Sequence, residues 1–290
     1  MAKGGKTKSK GKDKGKRSSY SQSGYEDAGS SYDFQRCRTI SYVSGIYLWT
    51  SESYLRGHTI VYDIVRRLIV KRVSLAIASL RPQYIKMPND EEPVHIKRQF
   101  HNMAGIPGII GCIDGMHIRV ACPLKVHNAA SYMNRKGYHS LNVQMVCDSS
   151  MKITNVVARW PGSSHDSRIF RSSTLRDHLE DGTIRGILLR DNGYACERYF
   201  LTPVVRAGTD SERRYNTSHR RTRNIIERVF GLLKRRFPCI GVDSRLRCHI
   251  ETSKAVIVAL CVLHNISRDN GDADFPGNDV HALRQHQRAE

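Results

Sequence analysis

Apolar residues along the chain change period several times, and those changes divide it. From about Thr39 to Tyr84 the pattern is helical, with Ile60, Val61, Ile64, Val65, Leu68, Ile69, Val73 and Ala76 recurring at helical spacing. Pro88, Asn89 and Pro93 then punctuate a linker. Beyond it the texture turns to strands. Gly105–Cys122 is an apolar run interrupted by glycine, and Leu141–Cys147 and Ile153–Arg159 are rich in β-formers, with Asp148-Ser149-Ser150 as the turn between them. Asp166–Glu180 reads as one helix, and Gly186–Arg190 is a further short strand ending at Asp191. Arg223–Phe237 carries Ile225, Ile226, Val229, Phe230, Leu233 and Phe237 on one arc and is stopped by Pro238. Thr252–Ser267 is apolar on all sides, which predicts a buried helix. Three strands, a helix and another strand, followed by helices, imply an α/β class: a mixed sheet with flanking helices, preceded by a small helical region. The expected divisions are a basic arm at 1–36, a helical region at 37–98, the main domain at 99–268 and a polar tail at 269–290.

Composition adds an anionic partner. The chain of 290 residues carries 47 Lys and Arg against 27 Asp and Glu, a net charge of +20, which favours a nucleic acid over a small phosphoester. Eight of the first 17 residues are Lys or Arg and one is acidic. That arm is too polar to offset its own ordering entropy and reads as disordered, with nuclear import, DNA gripping or simple solubility as its roles. Arg66, Arg67, Lys71 and Arg72 share the 60–76 stretch, which is therefore either a helix-turn-helix remnant or a packing helix with a solvated basic face. The eight cysteines contain no CxxC pair, which argues against structural zinc, and free buried thiols in a reducing compartment are expected. No run reads as long enough to span a bilayer, and no secretory signal is evident at the N-terminus.

Three acids stand out by context. Asp114 follows the apolar Ile-Gly-Cys-Ile, and Asp191 follows Ile-Leu-Leu-Arg; both read as strand ends, where carboxylates of neighbouring strands converge in α/β folds. Glu227 falls on the polar side of its helix. Arg220, Arg223 and Lys234 lie within about 40° of it on the helical wheel. A carboxylate among cations suits a hard metal ion beside phosphate, but it also describes an ordinary exposed Arg–Glu pair.

The spacing favours the first of these. Asp191 and Glu227 are separated by 35 residues, the pattern of the DD35E transposases and integrases. Gly105–Asp114, Pro161-Gly162-Ser163-Ser164-His165-Asp166-Ser167-Arg168, Asp191-Asn192-Gly193-Tyr194, Tyr215-Asn216, Ile226–Phe237 and Leu263-His264-Asn265-Ile266 together resemble the Harbinger transposase-derived nuclease family, of the PIF/Harbinger DDE superfamily. The resemblance runs from about Phe100 to Ile266.

It implies an RNase H-like fold and a DNA endonuclease that hydrolyses phosphodiester bonds with Mg²⁺ or Mn²⁺. Asp114, Asp191 and Glu227 match the acidic triad, and Asp166 matches a further metal-associated position, unless it serves as the N-cap of the following helix. Arg220, Arg223 and Lys234 are the expected phosphate contacts. His117, His165 and Arg168 lie near the acids in sequence. DNA, a Myb/SANT-like DNA-binding protein and a second copy of the chain are the implied partners, in the nucleus and secondarily in the cytoplasm. The family commonly has threonine at Met116, a small residue at Arg190 and proline at Ala195. Arg190, next to Asp191, is expected to pair with it in competition with metal. The alternative is a domesticated transposase that binds DNA or a partner without cutting.

Overall fold

The computed structural model describes residues 51–88, 93–123, 128–192 and 197–272. The expected arm 1–36, the start of the 37–98 region, most of the 269–290 tail, and Gly193, Tyr194 and Ala195 lie outside them. The chain divides into two compact units, Met1–Ile60 and Val61–Glu290, and the whole sheet belongs to the second.

Helix α1 (Ser51–Ala78) leads to a one-turn helix, α2 (Arg81–Tyr84), and to α3 (Pro93–Ala104). The reading of α1 as a packing helix fails for residues 62–75. Ile64, Val65, Leu68, Ile69 and Val73 are all exposed, so its apolar positions as well as its basic ones face outward. The expected domain start at residue 99 falls inside α3, which packs on the first strand.

Strands β1 (Ile109–Arg119), β2 (Ser140–Cys147) and β3 (Ile153–Pro161) form an antiparallel meander. The β2–β3 turn is the expected one: Asp148 Oδ1 accepts from the backbone N–H of Ser150 at 2.8 Å and of Lys152 at 2.9 Å. The expected helix 166–180 is two helices, α4 (Asp166–Arg171) and α5 (Thr174–Glu180). The break comes at Ser172-Ser173, where Ser173 caps α5 by accepting from Arg176 N–H. Strands β4 (Ile187–Leu189) and β5 (Phe200–Leu201) then add in parallel on the other side of β1, giving the order β3-β2-β1-β4-β5. This mixed five-stranded sheet with flanking helices is consistent with the RNase H-like expectation.

Helix α6 (Asp210–Arg236) is 27 residues long and begins well before Arg223. It starts with a capping box in which Thr209 and Glu212 satisfy each other's backbone N–H groups. Helix α7 (Ile250–Asp269) is apolar and long enough to cross a bilayer, contrary to the sequence reading, but 72% of that stretch is buried. Asn265 ties it to the sheet. Its Oδ1 accepts from Ile153 N–H at 2.8 Å, and its Nδ2 donates to Ile153 and Tyr84 carbonyls at 2.7 Å.

The two sheet faces have separate cores. Cys112, Met116, Ile118, Val143 and Met145 pack with Ile225, Ile226, Val229 and Leu233 of α6 and with Val256 and Ile257 of α7. Ile110, Val146 and Leu188 pack with Phe170, Leu175, Leu179 and Phe200 on the opposite face. All six described cysteines are free, and Cys112, Cys147 and Cys261 are buried, as expected of inert thiols.

Candidate active site

Strand geometry positions the two aspartates. The last paired residues of β1 and β4 are Cys112 and Leu189, in parallel register. Asp114 and Asp191 each lie two residues further on, and a period of two carries both to the face that Cys112 and Leu189 share with α6. Asp191 follows its strand, as expected. Asp114 does not end β1 but sits in its middle, paired with Met145, at the point where β4 stops covering the sheet. The opening beside Asp114 is therefore the end of a neighbouring strand rather than of its own. Asp191 is exposed and accepts a hydrogen bond from the Asn192 N–H.

Helix α6 supplies the third acid and a cation. Arg223 Nη1 donates to Asp114 Oδ2 at 2.7 Å, and Nη2 donates to Glu227 Oε1 at 2.8 Å. Glu227 thus faces Asp114, but from the far side of a guanidinium. Among the described residues, no three Asp, Glu, His or Cys side chains stand close enough together to hold an ion as placed. Burial pushes the Asp114 carboxyl up to about 6. Arg223 and the Gly115 N–H, which donates to Asp114 Oδ1 at 2.8 Å, pull it down, while Asp166 and Asp191 add to the rise.

Asp166 approaches from the other side of β1. A Cβ at Gly115 would stand 2.5 Å from its Oδ1, so only glycine leaves room for it there. Its Oδ1 accepts from Asn142 Nδ2 at 2.6 Å. The capping role considered for Asp166 belongs to His165, whose ring nitrogen accepts from Ser167 N–H at the start of α4. His117 is half-buried, with Nδ1 3.0 Å from Ser140 Oγ. Burial lowers its pKa, against the pull of Asp166.

The expected phosphate contacts separate. Arg220 is exposed, Lys234 is half-buried, and Arg223 is engaged by two carboxylates. Arg190 does not lie alongside Asp191: the same alternation turns it to the opposite face, 1% exposed, with its guanidinium 4.0 Å from the Phe200 ring centre and 5.4 Å from that of Phe170. His219 was missed in the sequence because its stretch of α6 is polar. It is buried, with Nε2 3.1 Å from the Leu201 carbonyl, and burial lowers its pKa while Asp191 works to raise it.

An oxygen-only donor set on one face, with one carboxyl raised chiefly by burial and further by neighbouring carboxylates, fits a hard divalent cation. Asp114 and Asp191 meet that description directly, and Glu227 meets it once Arg223 yields.

Comparison with known proteins gives the family. The family model described as DDE superfamily endonuclease matches residues 113–265. The chain is 39% identical over 207 residues to the protein named Putative nuclease HARBI1 of Bos taurus, covering 70% of this chain and 58% of that one. The protein of the same name from Homo sapiens is 37% identical over the same shares. Protein ALP1-like of Arabidopsis thaliana is 24% identical over 212 residues, 67% of this chain and 52% of that one. The chain thus spans little more than half the length of these relatives. No solved structure matches it significantly.

Proposed function

Because the chain belongs to the DDE superfamily endonucleases, among relatives of the Harbinger transposase-derived kind, we propose that it is a metal-dependent DNA endonuclease. Asp114, Asp191 and Glu227 are its catalytic acids, holding Mg²⁺ or Mn²⁺, and Asp166 adds its charge to the centre from the other side of β1. The single observation that carries this reading is the matched position of Asp114 and Asp191, each two residues past a paired Cys112 and Leu189, facing the helix that bears Glu227.

The bound cation supplies Lewis-acid stabilisation of the phosphodiester and a more acidic water. The protein's own groups arrange that chemistry. Asp114 and Asp191 offer paired oxygens at an open sheet edge. Arg223 keeps Asp114 and Glu227 oriented toward one another, and its guanidinium suits phosphate when the carboxylates are otherwise engaged. The net charge of +20 favours a DNA backbone as substrate. The same proposal places the protein in the nucleus, with a Myb/SANT-like DNA-binding partner and a second copy of the chain as candidates for target recognition.

A second reading, a domesticated protein that binds DNA without cutting, is favoured by the Arg223 bridge, which closes Asp114 against Glu227. Nicking of supercoiled plasmid in Mg²⁺ or Mn²⁺ separates the two. The wild type is expected to nick and Asp191→Ala to lose at least 99% of that activity. Equal nicking by both would assign the cleavage elsewhere, and binding without nicking by the wild type would favour the second reading.

A further inference from the structure

Helix α6 is tied to the sheet at two points before it reaches Glu227. Arg223 holds Asp114 on β1. One turn earlier, about 6 Å along the axis, His219 reaches the other half of the site. It is 1% exposed, and its Nε2 stands 3.1 Å from the Leu201 carbonyl. A carbonyl only accepts, so Nε2 carries the proton and donates. The same carbonyl accepts from the Arg190 N–H at 3.1 Å, the last bond of the β4–β5 ladder among the described residues. Leu201 O therefore joins two donors. One comes from the helix that bears Glu227, the other from the residue immediately before Asp191.

The neighbours of His219 on α6 make bonds of the same kind to the chain that follows β5. Tyr215 Oη donates to the Thr202 carbonyl at 2.9 Å, and the Asn216 side chain takes both the N–H and the carbonyl of Val204 at 2.8 Å. Thr202 and Val204 lie past the β4–β5 ladder, so these bonds hold the loop without reaching β4. The His219 bond alone among them lands on a ladder residue. Its purpose is not to satisfy a buried carbonyl, because the Arg190 N–H already does that. An apolar side chain at this position would also avoid the cost of taking an imidazole out of water. What the histidine adds is a fixed link between α6 and the end of β4.

We propose that His219 is a positioning residue for Asp191: through Leu201 and Arg190 it holds the end of β4 against α6, so that Asp191 and Glu227 serve one divalent cation. The inference rests on the metal reading above and adds to it the part that sets two of the acids relative to each other. Asp191 follows the last ladder bond of its strand and is itself exposed, so its place depends on what holds Arg190. Arg223 and His219 then divide the work on α6, the first orienting Asp114 from β1 and the second Asp191 from β4.

The test is Mn²⁺ binding by the full chain without DNA, read from the electron paramagnetic resonance signal of the unbound ion, with urea unfolding of each variant alongside. It requires no cleavage. His219→Leu removes the donor and is expected to weaken Mn²⁺ binding by about tenfold or more. His219→Gln carries an amide N–H as far along the side chain as Nε2 and should recover most of the affinity. His219→Asn has the same amide but falls short of Leu201 and should bind as weakly as His219→Leu; the Gln and Asn pair carries the test if the leucine variant does not fold. Tyr215→Phe loses a bond from the same helix to the loop and should keep wild-type affinity, whatever it does to the urea midpoint. Wild-type affinity in His219→Leu or His219→Asn overturns the proposal, as does an equal loss in Tyr215→Phe or a loss that glutamine does not recover. A wild type that binds no Mn²⁺, or an Asp191→Asn that binds it as the wild type does, overturns the metal reading beneath it.

Discussion

Arg223 reaches from α6 to β1 and places Nη1 2.7 Å from Asp114 Oδ2, while its other amino group holds Glu227 one helical turn away. The arginine is the only direct link between the two acids among the contacts described for them. Both partners of the Asp114 pair are mostly buried, so removing one leaves a poorly solvated charge. Arg223→Ala is expected to destabilise the protein by about 2 kcal/mol, measured by urea unfolding without metal. In a double-mutant cycle with Asp114→Asn, the coupling should be about 1–2 kcal/mol. Additive single effects would show that the pair contributes nothing.

The position of Asp114 also sets a pH dependence. Its carboxyl is raised from 3.8 to about 6, chiefly by burial. The folded state therefore binds this proton more tightly than the unfolded chain does. Its contribution is fully present below the unfolded value near 4 and is lost as pH rises through 6. Metal-free protein should accordingly lose roughly 2 kcal/mol between those limits from this group, after allowance for its partial exposure. Asp114→Asn should remove that portion of the slope. An unchanged difference between wild type and variant at pH 4 and pH 7 would contradict it.

Arg190 shows how far a sequence reading of neighbours reaches. Adjacency to Asp191 suggests an ion pair, but alternation along the strand sends the two side chains to opposite faces. Arg190 ends up 1% exposed over Phe200. Arg190→Lys should cost at least about 2 kcal/mol, because an ammonium cannot lie flat on a ring as a guanidinium does. Arg190→Ala should cost about 3 kcal/mol by leaving a cavity as well. A loss of cleavage without a loss of stability would instead point to a role beside Asp191.

The same contrast between local pattern and tertiary placement runs through the fold. The strands from Ile109 to Pro161 and helix α7 were legible because their burial writes dense apolar runs into the sequence, bounded by turn residues for the strands and long enough for a helix in α7. The first half of α6 was not, since residues 210–222 are polar and expose most of their surface; the readable signal was the Thr209–Glu212 capping box. Ser172-Ser173 broke a helix that Ile169, Phe170, Leu175 and Leu179 made look continuous. The three acids were found through their spacing and resemblance. That Arg223 stands between two of them depends on how α6 crosses β1, and no spacing along the chain encodes it.

Gly115 separates the Asp166 side of β1 from the Asp114 side, and this gives a test of Asp166. The three atoms nearest to an added Cβ are all in the Asp166 side chain, at 2.5 to 2.9 Å, so the carboxylate must move. Rotating it away breaks its 2.6 Å bond from Asn142 Nδ2, whose residue is 3% exposed. Gly115→Ala is therefore expected to cost about 1–2 kcal/mol and to lower plasmid nicking. Gly115→Ala/Asp166→Ser should recover most of the stability, because the smaller side chain vacates the space, but none of the nicking if the carboxylate serves the metal centre. Stability that fails to recover would place the clash elsewhere on β1, and nicking that returns with the serine would remove Asp166 from the site.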